Sequence, residues 1–281
     1  MKNLFLLFLL LTIISSCGQR SPISDNEYKM TSSYIVGGDS KENHPLSTTV
    51  TLNNGHCSGV KVGKNKILTA AHCLYSEGTN VYLNYFPGYK NIITNHLGNS
   101  KEYPVKNTFI HKTYTDEVQR IEEGKSTNEE ASISSYDIAL IEFYEEIKDV
   151  NTAVLNLTDT NFSNSLVITG GGKELNKDGR FVDSQKIKSA FVDQIQIEDI
   201  DEVFLEEYKS EKIDTYYLLT LGSMSNSNKA SLAPGDSGGG IFFGNKLIGI
   251  NSFSAHLVPV KTYFHAHTRL ADLQVWLEDL L

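Results

Sequence analysis

The chain has 281 residues, 40% of them hydrophobic and 21% charged. That is enough to bury a sizeable core, in one large domain or two small packed ones. The formal net charge of -9, with no Lys/Arg cluster, argues against a nucleic-acid binder, because phosphate recognition needs clustered cations.

Met1-Lys2-Asn3 carries one positive charge, and residues 4–14 are apolar apart from Thr12. The run is too short to cross a hydrocarbon core of about 30 Å as a helix. With the small residues after it, it predicts a secretory signal peptide over 1–17 and an exported chain. The end of that segment, Ile14-Ser15-Ser16-Cys17, resembles the bacterial lipobox, whose Cys is lipidated and becomes the new N-terminus. The alternative is an ordinary signal peptide that contains a Cys. The chain has three cysteines, at 17, 57 and 73, and an odd number in an exported protein asks for an explanation. A lipid on Cys17 leaves Cys57 and Cys73 as a pair, in a compartment that permits a disulfide.

Residues 18–34 are polar and aperiodic and read as a tether or propeptide. From Ile35 onward, short apolar or alternating runs recur between turn residues: 47–52, 66–69, 81–83, 138–141, 166–168, 240–243 and 247–250. Many short strands with few helical stretches predict an all-β barrel or sandwich. Two acid-rich stretches, 111–135 and 194–214, lack the Gly-punctuated spacing of a calcium loop and read as solvated surface loops. At the C-terminus, Leu270, Leu273, Trp276, Leu277 and Leu280 recur at helical spacing and predict one packing helix.

Three motifs carry chemistry. Gly235-Asp236-Ser237-Gly238-Gly239-Gly240 offers a hydroxyl among glycines, which let the backbone turn sharply and leave its amides bare. A serine is a weak nucleophile that needs a base and amide donors for the oxyanion it forms. Leu68-Thr69-Ala70-Ala71-His72-Cys73 supplies an imidazole flanked by small residues, and Tyr136-Asp137-Ile138-Ala139-Leu140 places one acid at the start of an apolar strand. Each alone has a bland structural reading.

Together with Ile35-Val36-Gly37-Gly38, these motifs resemble the trypsin/chymotrypsin family of serine peptidases, over essentially the whole chain from residue 35. The resemblance implies two packed six-stranded antiparallel β-barrels with a C-terminal helix, the first over 35–150 and the second over 151–281. It implies a catalytic triad of His72, Asp137 and Ser237, with an oxyanion hole from the amides of Gly235 and Ser237. It implies a disulfide between Cys57 and Cys73. It also implies activation by a cut before Ile35, whose new ammonium would pair with Asp236. The residue before that cut is Tyr34, unlike the usual Lys or Arg. The resemblance calls for no cofactor and no metal. The expected partners are protein or peptide substrates, on a monomer held at a membrane only through a lipid on Cys17. The expected location is secreted, or lipid-anchored to a bacterial membrane.

Specificity is expected from residues beside the nucleophile. Ser231 matches the pocket floor, where an Asp would select Lys or Arg, so a large apolar or aromatic preference is expected. Ser252-Phe253-Ser254 matches the segment that pairs with the substrate backbone. His265 falls in the pocket wall, where it would instead favour acidic side chains. Ala233 stands where related enzymes place a bracing Cys. Gly170-Gly171-Gly172 stands where Gly-Trp-Gly is common and reads as tolerated drift. The alternative to an active endopeptidase is a catalytically inactive, peptidase-like binding protein. An esterase of the α/β-hydrolase type is disfavoured by the His-Asp-Ser order.

Overall fold

Runs that alternate residue by residue turn one face inward, and in this chain that face closes on itself twice. The computed structural model describes residues 44–281 except 77–80, 83–90, 97, 127–134, 159–161, 163–165, 176–177, 179, 183–185, 197–212, 223–230 and 258–261. The signal segment, Cys17, the polar tether, Tyr34 and Ile35 lie outside the described residues, as does most of the acid-rich stretch 194–214.

A short helix α1 (His44–Thr48) leads into β1 (Thr49–Leu52), β2 (Cys57–Gly63) and β3 (Lys66–Thr69). Two short strands, β4 (Tyr75–Ser76) and β5 (Val81–Tyr82), form a separate ladder. Then follow β6 (Asn91–His96), β7 (Asn99–Ile110), α2 (Lys112–Glu122) and β8 (Ala139–Phe143). The first barrel closes in the order β1-β2-β3-β8-β7-β6. Val50, Ile67, Val105, Ile141 and Phe143 fill it.

The second half contains β9 (Val154–Leu155), β10 (Leu166–Gly170), β11 (Glu174–Leu175), β12 (Phe181–Val182), β13 (Lys188–Ile195), α3 (Ile213–Tyr216), β14 (Tyr217–Gly222), β15 (Gly240–Phe243), β16 (Lys246–Leu257) and β17 (Thr262–Arg269). Six of these run β15-β10-β13-β14-β17-β16, and the pairing of β15 with β16 closes the ring. Leu166, Ile168, Val192, Leu218 and Ile248 line its core. The seventh strand, β9, lies outside the ring and runs parallel to β16. It departs from the expected antiparallel pairing because a long crossover, β10 to β15, separates it from its partner.

A third cluster joins the barrels. Val60, Leu68, Ile138 and Leu140 of the first barrel meet Phe242, Leu247 and Ile250 of the second. A 3-10 turn (Ala271–Leu273) and the final helix α4 (Gln274–Leu280) lay Leu273 and Leu277 on this seam, with Trp276 and Leu280 partly buried beside them. The stripe read from the sequence therefore packs where the barrels meet.

The acid-rich stretch 111–135 is not simply a loop, because residues 112–122 form α2. His111 caps it, accepting the Thr113 amide at Nδ1 (3.3 Å). Tyr114 and Val118 are buried and Ile121 packs partly against the first core. This four- and three-residue spacing was masked by the charges around it.

Candidate active site

His72 sits in a 3-10 turn (Ala71–Leu74) directly after β3. Small neighbours let this turn pack onto the first core, where Ala70 and Ala71 are fully buried. The Cys57–Cys73 disulfide ties the turn to the start of β2. Asp137 is fully buried just before β8. Its Oδ1 accepts the His72 backbone N–H at 2.9 Å, and its Oδ2 faces His72 Nδ1 at 2.7 Å. The second barrel completes the grip. Ser252 Oγ donates to Asp137 Oδ2 and Thr268 Oγ1 donates to the Asp137 carbonyl at 3.1 Å. Burial pushes the Asp137 carboxyl up, but the His72 charge and the hydrogen bonds from His72 and Ser252 outweigh it, and the carboxyl lies below its ordinary range. With Asp137 accepting at Nδ1–H, the lone pair of a neutral His72 lies on Nε2.

Ser237 Oγ donates to the Ser252 carbonyl at 3.3 Å, and the Ser237 carbonyl accepts from the Ser58 amide at 2.7 Å. The next residue, Gly238, has φ +83, and a Cβ on it would meet the Ser58 carbonyl, the Thr69 hydroxyl and, at 3.1 Å, the Ala70 amide. The serine loop thus lies against the segment that carries His72, which only glycine permits here.

The loop before the serine is a type II turn. Asp236 N donates to Ala233 O at 3.0 Å, Pro234 is at the second position and Gly235 at the third with φ +96. A Cβ on Gly235 would run into Gly55 O and lie 2.9 Å from Gly172 Cα. The turn fixes the plane of the Pro234–Gly235 peptide, whose N–H is the expected oxyanion donor. Ser58 Oγ donates to the Gly235 carbonyl at 2.8 Å and so anchors the next peptide.

Asp236 is fully buried. Its carboxylate accepts from the amides of Gly172 and Ala233, each at 2.8 Å. Burial still dominates and pushes its pKa to about 7, against these amides and the charge of Lys188. Gly170-Gly171-Gly172 is therefore not drift. A Cβ on Gly170 would lie 2.8 Å from the Asp236 carboxyl carbon, one on Gly172 2.7 Å from Oδ1, and one on Gly171 would strike the Thr51 methyl.

The residues expected from the sequence to line a specificity pocket lie in the second barrel. Ser231 is fully buried. Phe253 is buried edge-to-face against Tyr217 and Phe264, with centroids 5.4 and 6.2 Å away. Ser254 pairs with His265 across the β16–β17 ladder, and its Oγ lies 2.8 Å from His265 Nδ1. Behind them is a polar chain that sequence reasoning missed. His267 bridges Thr220 Oγ1 and Asn251 Oδ1, each at 2.9 Å, and Asn251 Nδ2 donates to the carbonyls of Thr169 and Asp236. Burial, then the charge of His265, hold His267 well below the ordinary histidine range, so it is neutral. The signal for it was a His-x-His in an alternating strand, a pattern with no meaning until its partners are known.

A family model described as Trypsin matches residues 35–277. Among solved structures, human heparin binding protein has a similar fold, with a TM-score of 0.58 at 15% identity, covering 87% of this chain and 95% of that one. At that identity the likeness speaks for the fold alone. No curated protein sequence matches this chain significantly. The match over residues 35–277, on two β-barrels that bring His72, Asp137 and Ser237 to their common seam, makes this chain a member of the trypsin family.

Proposed function

We propose that this chain is an exported serine endopeptidase that works through an acyl-enzyme on Ser237. The observation that carries this reading is the junction at Ser252, which bonds Asp137 through its side chain and Ser237 through its carbonyl. Ser237 attacks the scissile carbonyl and His72 Nε2 takes its proton, later giving it to the leaving amine. Asp137 holds the tautomer and stabilises the imidazolium. The amides of Gly235 and Ser237 receive the oxyanion. Hydrolysis of casein or of a peptide library, lost in Ser237→Ala, tests this. Equal hydrolysis by that variant would remove Ser237 from the reaction, and no hydrolysis by the wild type would leave a peptidase-like binding protein.

Cleavage before Ile35 frees an ammonium to pair with the buried Asp236. Pairing raises the pKa of that amine above its unfolded value of about 8. Its contribution is full below that value and lost as pH rises through the folded pKa, so activity falls at alkaline pH. The same cut severs the chain from a lipid on Cys17. N-terminal sequencing of the released form checks both points.

With no charge at Ser231, the pocket takes large apolar or aromatic side chains rather than Lys or Arg. A second reading, acidic side chains, rests on His265 and Ser254, whose 2.8 Å contact places a hydroxyl and an imidazole side by side. A cleavage profile over a substrate library separates the two.

A further inference from the structure

Lys188 opens β13, and the ladder fixes the face from which its side chain leaves. It stands directly opposite Gly170 of β10. Opposite residues in an antiparallel pair project to the same face, their Cβ atoms about 5 Å apart. On Gly170 that face belongs to Asp236, whose carboxyl carbon lies 2.8 Å from where a Cβ would be. Parity along β13 agrees, since Ala190 and Val192 belong to the buried core of the second barrel. Lys188 is itself only 8% exposed. A lysine on the core face of a strand is disfavoured without an anion, and its charge acts on Asp236 against the effect of burial.

The oxyanion turn and its hydrogen bonds are formed in this structure. Ile35 is still joined to Tyr34 in this chain. Yet the Asp236-to-Ala233 turn bond, the positive φ of Gly235 and both amide bonds to the carboxylate are in place.

We propose that Lys188 is a positioning residue for the oxyanion loop, an internal countercharge to Asp236 that makes the uncut chain partly active before Ile35 is freed. This rests on the serine peptidase reading. The cut then adds a second cation beside Asp236 instead of supplying the first.

The test uses the full-length uncut chain in detergent, its intact mass verified, with a fluorophosphonate probe. Ser237 Oγ forms a bond to phosphorus, fluoride leaves and His72 takes the proton, so labelling requires both the base and the oxyanion donors. A cut form is made by replacing residues 31–34 with the recognition sequence of a specific protease that cleaves before Ile35. Uncut wild type is expected to label, more slowly than the cut form. Uncut Lys188→Met should label about tenfold more slowly, the loss of roughly one pKa unit's worth of countercharge. Lys188→Arg should keep the wild-type rate, and cut Lys188→Met should recover, because the Ile35 ammonium takes over. Wild-type labelling by uncut Lys188→Met overturns the proposal. So does loss of labelling by that variant in both forms, which would make Lys188 merely structural. If uncut wild type is inert and the cut form labels, Lys188 does not order the loop and the peptidase reading stands. If neither form labels, the peptidase reading itself fails.

Discussion

Ser252 holds Asp137 with its side chain and Ser237 with its backbone. Its Oγ donates to Asp137 Oδ2, the oxygen that faces His72, and its carbonyl accepts from Ser237 Oγ at 3.3 Å. The residue is therefore more than a rung for the substrate strand. Ser252→Ala takes one donor from a buried carboxylate, a bond to a charged group worth about 1.5–3 kcal/mol. The carboxylate left behind stabilises the imidazolium more, so the acid limb of the kcat/KM profile moves to higher pH. We expect kcat to fall by about tenfold with KM little changed. A profile superimposable on the wild type would remove Ser252 from the relay.

Gly172 constrains the oxyanion loop from a distant part of the sequence. A Cβ there would lie 2.7 Å from Asp236 Oδ1 and 2.8 Å from the Asp236 amide. The second of these is backbone and cannot swing away. Gly172→Ala thus displaces Asp236 and, through the turn, the Gly235 amide. Losing one oxyanion donor typically lowers kcat by about a hundredfold. Steady-state kinetics should show that loss in kcat, with KM close to the wild-type value. A variant of unchanged kcat would show that the loop tolerates the shift.

The parts of the site legible in the sequence were those whose residues cluster in one short motif. The glycines beside Ser237 stand together around the nucleophile, although what Gly235 and Gly238 must clear, Gly55, Ser58 and Thr69, is distant in the chain, and the alanines stand directly before His72. The needs of Gly170 and Gly172 are set by Asp236, 64 residues after Gly172, and nothing nearby announces them. The same holds for the Ser252 side chain, 115 positions from its acceptor. Lys188 sits in a strand with an alternating pattern, where a lone lysine reads as an outward residue. Only the pairing with Gly170 shows that it faces in. In α2 the apolar positions were visible but outnumbered by charges, and burial of Tyr114 and Val118 decided the matter.

The Cys57–Cys73 bridge closes a loop with a sequence separation of 16, carrying β2, β3 and the His72 turn. In the chain-entropy model a loop of this size adds about 3 kcal/mol. For a chain this long that corresponds to a melting point about 6–12 °C higher. Melting curves with and without reductant, and for the Cys57→Ser/Cys73→Ser double variant, should show this difference. The double variant should also lose activity at temperatures below its melting point, because the His72 turn loses its tie to β2. A double variant with wild-type melting would show that the barrel alone fixes the turn.

Asp236 gives the uncut chain a pH-dependent stability of unusual sign. Burial raises its carboxyl from the ordinary 3.8 to about 7. Between those values the folded chain holds a proton that the unfolded chain has released. The favourable contribution is therefore present at low pH and lost as pH rises through about 7. From pH 5 to 8 the uncut chain should lose about 3 kcal/mol through this group, two pKa units at 1.36 kcal/mol each. On the proposed activation, cutting before Ile35 is expected to bring an ammonium to the carboxylate, lower its pKa and remove the loss. Urea unfolding of the Ser237→Ala chain, uncut and cut, at pH 5 and pH 8 measures both slopes. Adding Asp236→Asn to the uncut chain should flatten its slope by the same amount. If the slope survives that substitution, another group carries it and Asp236 is already ionised in the uncut fold.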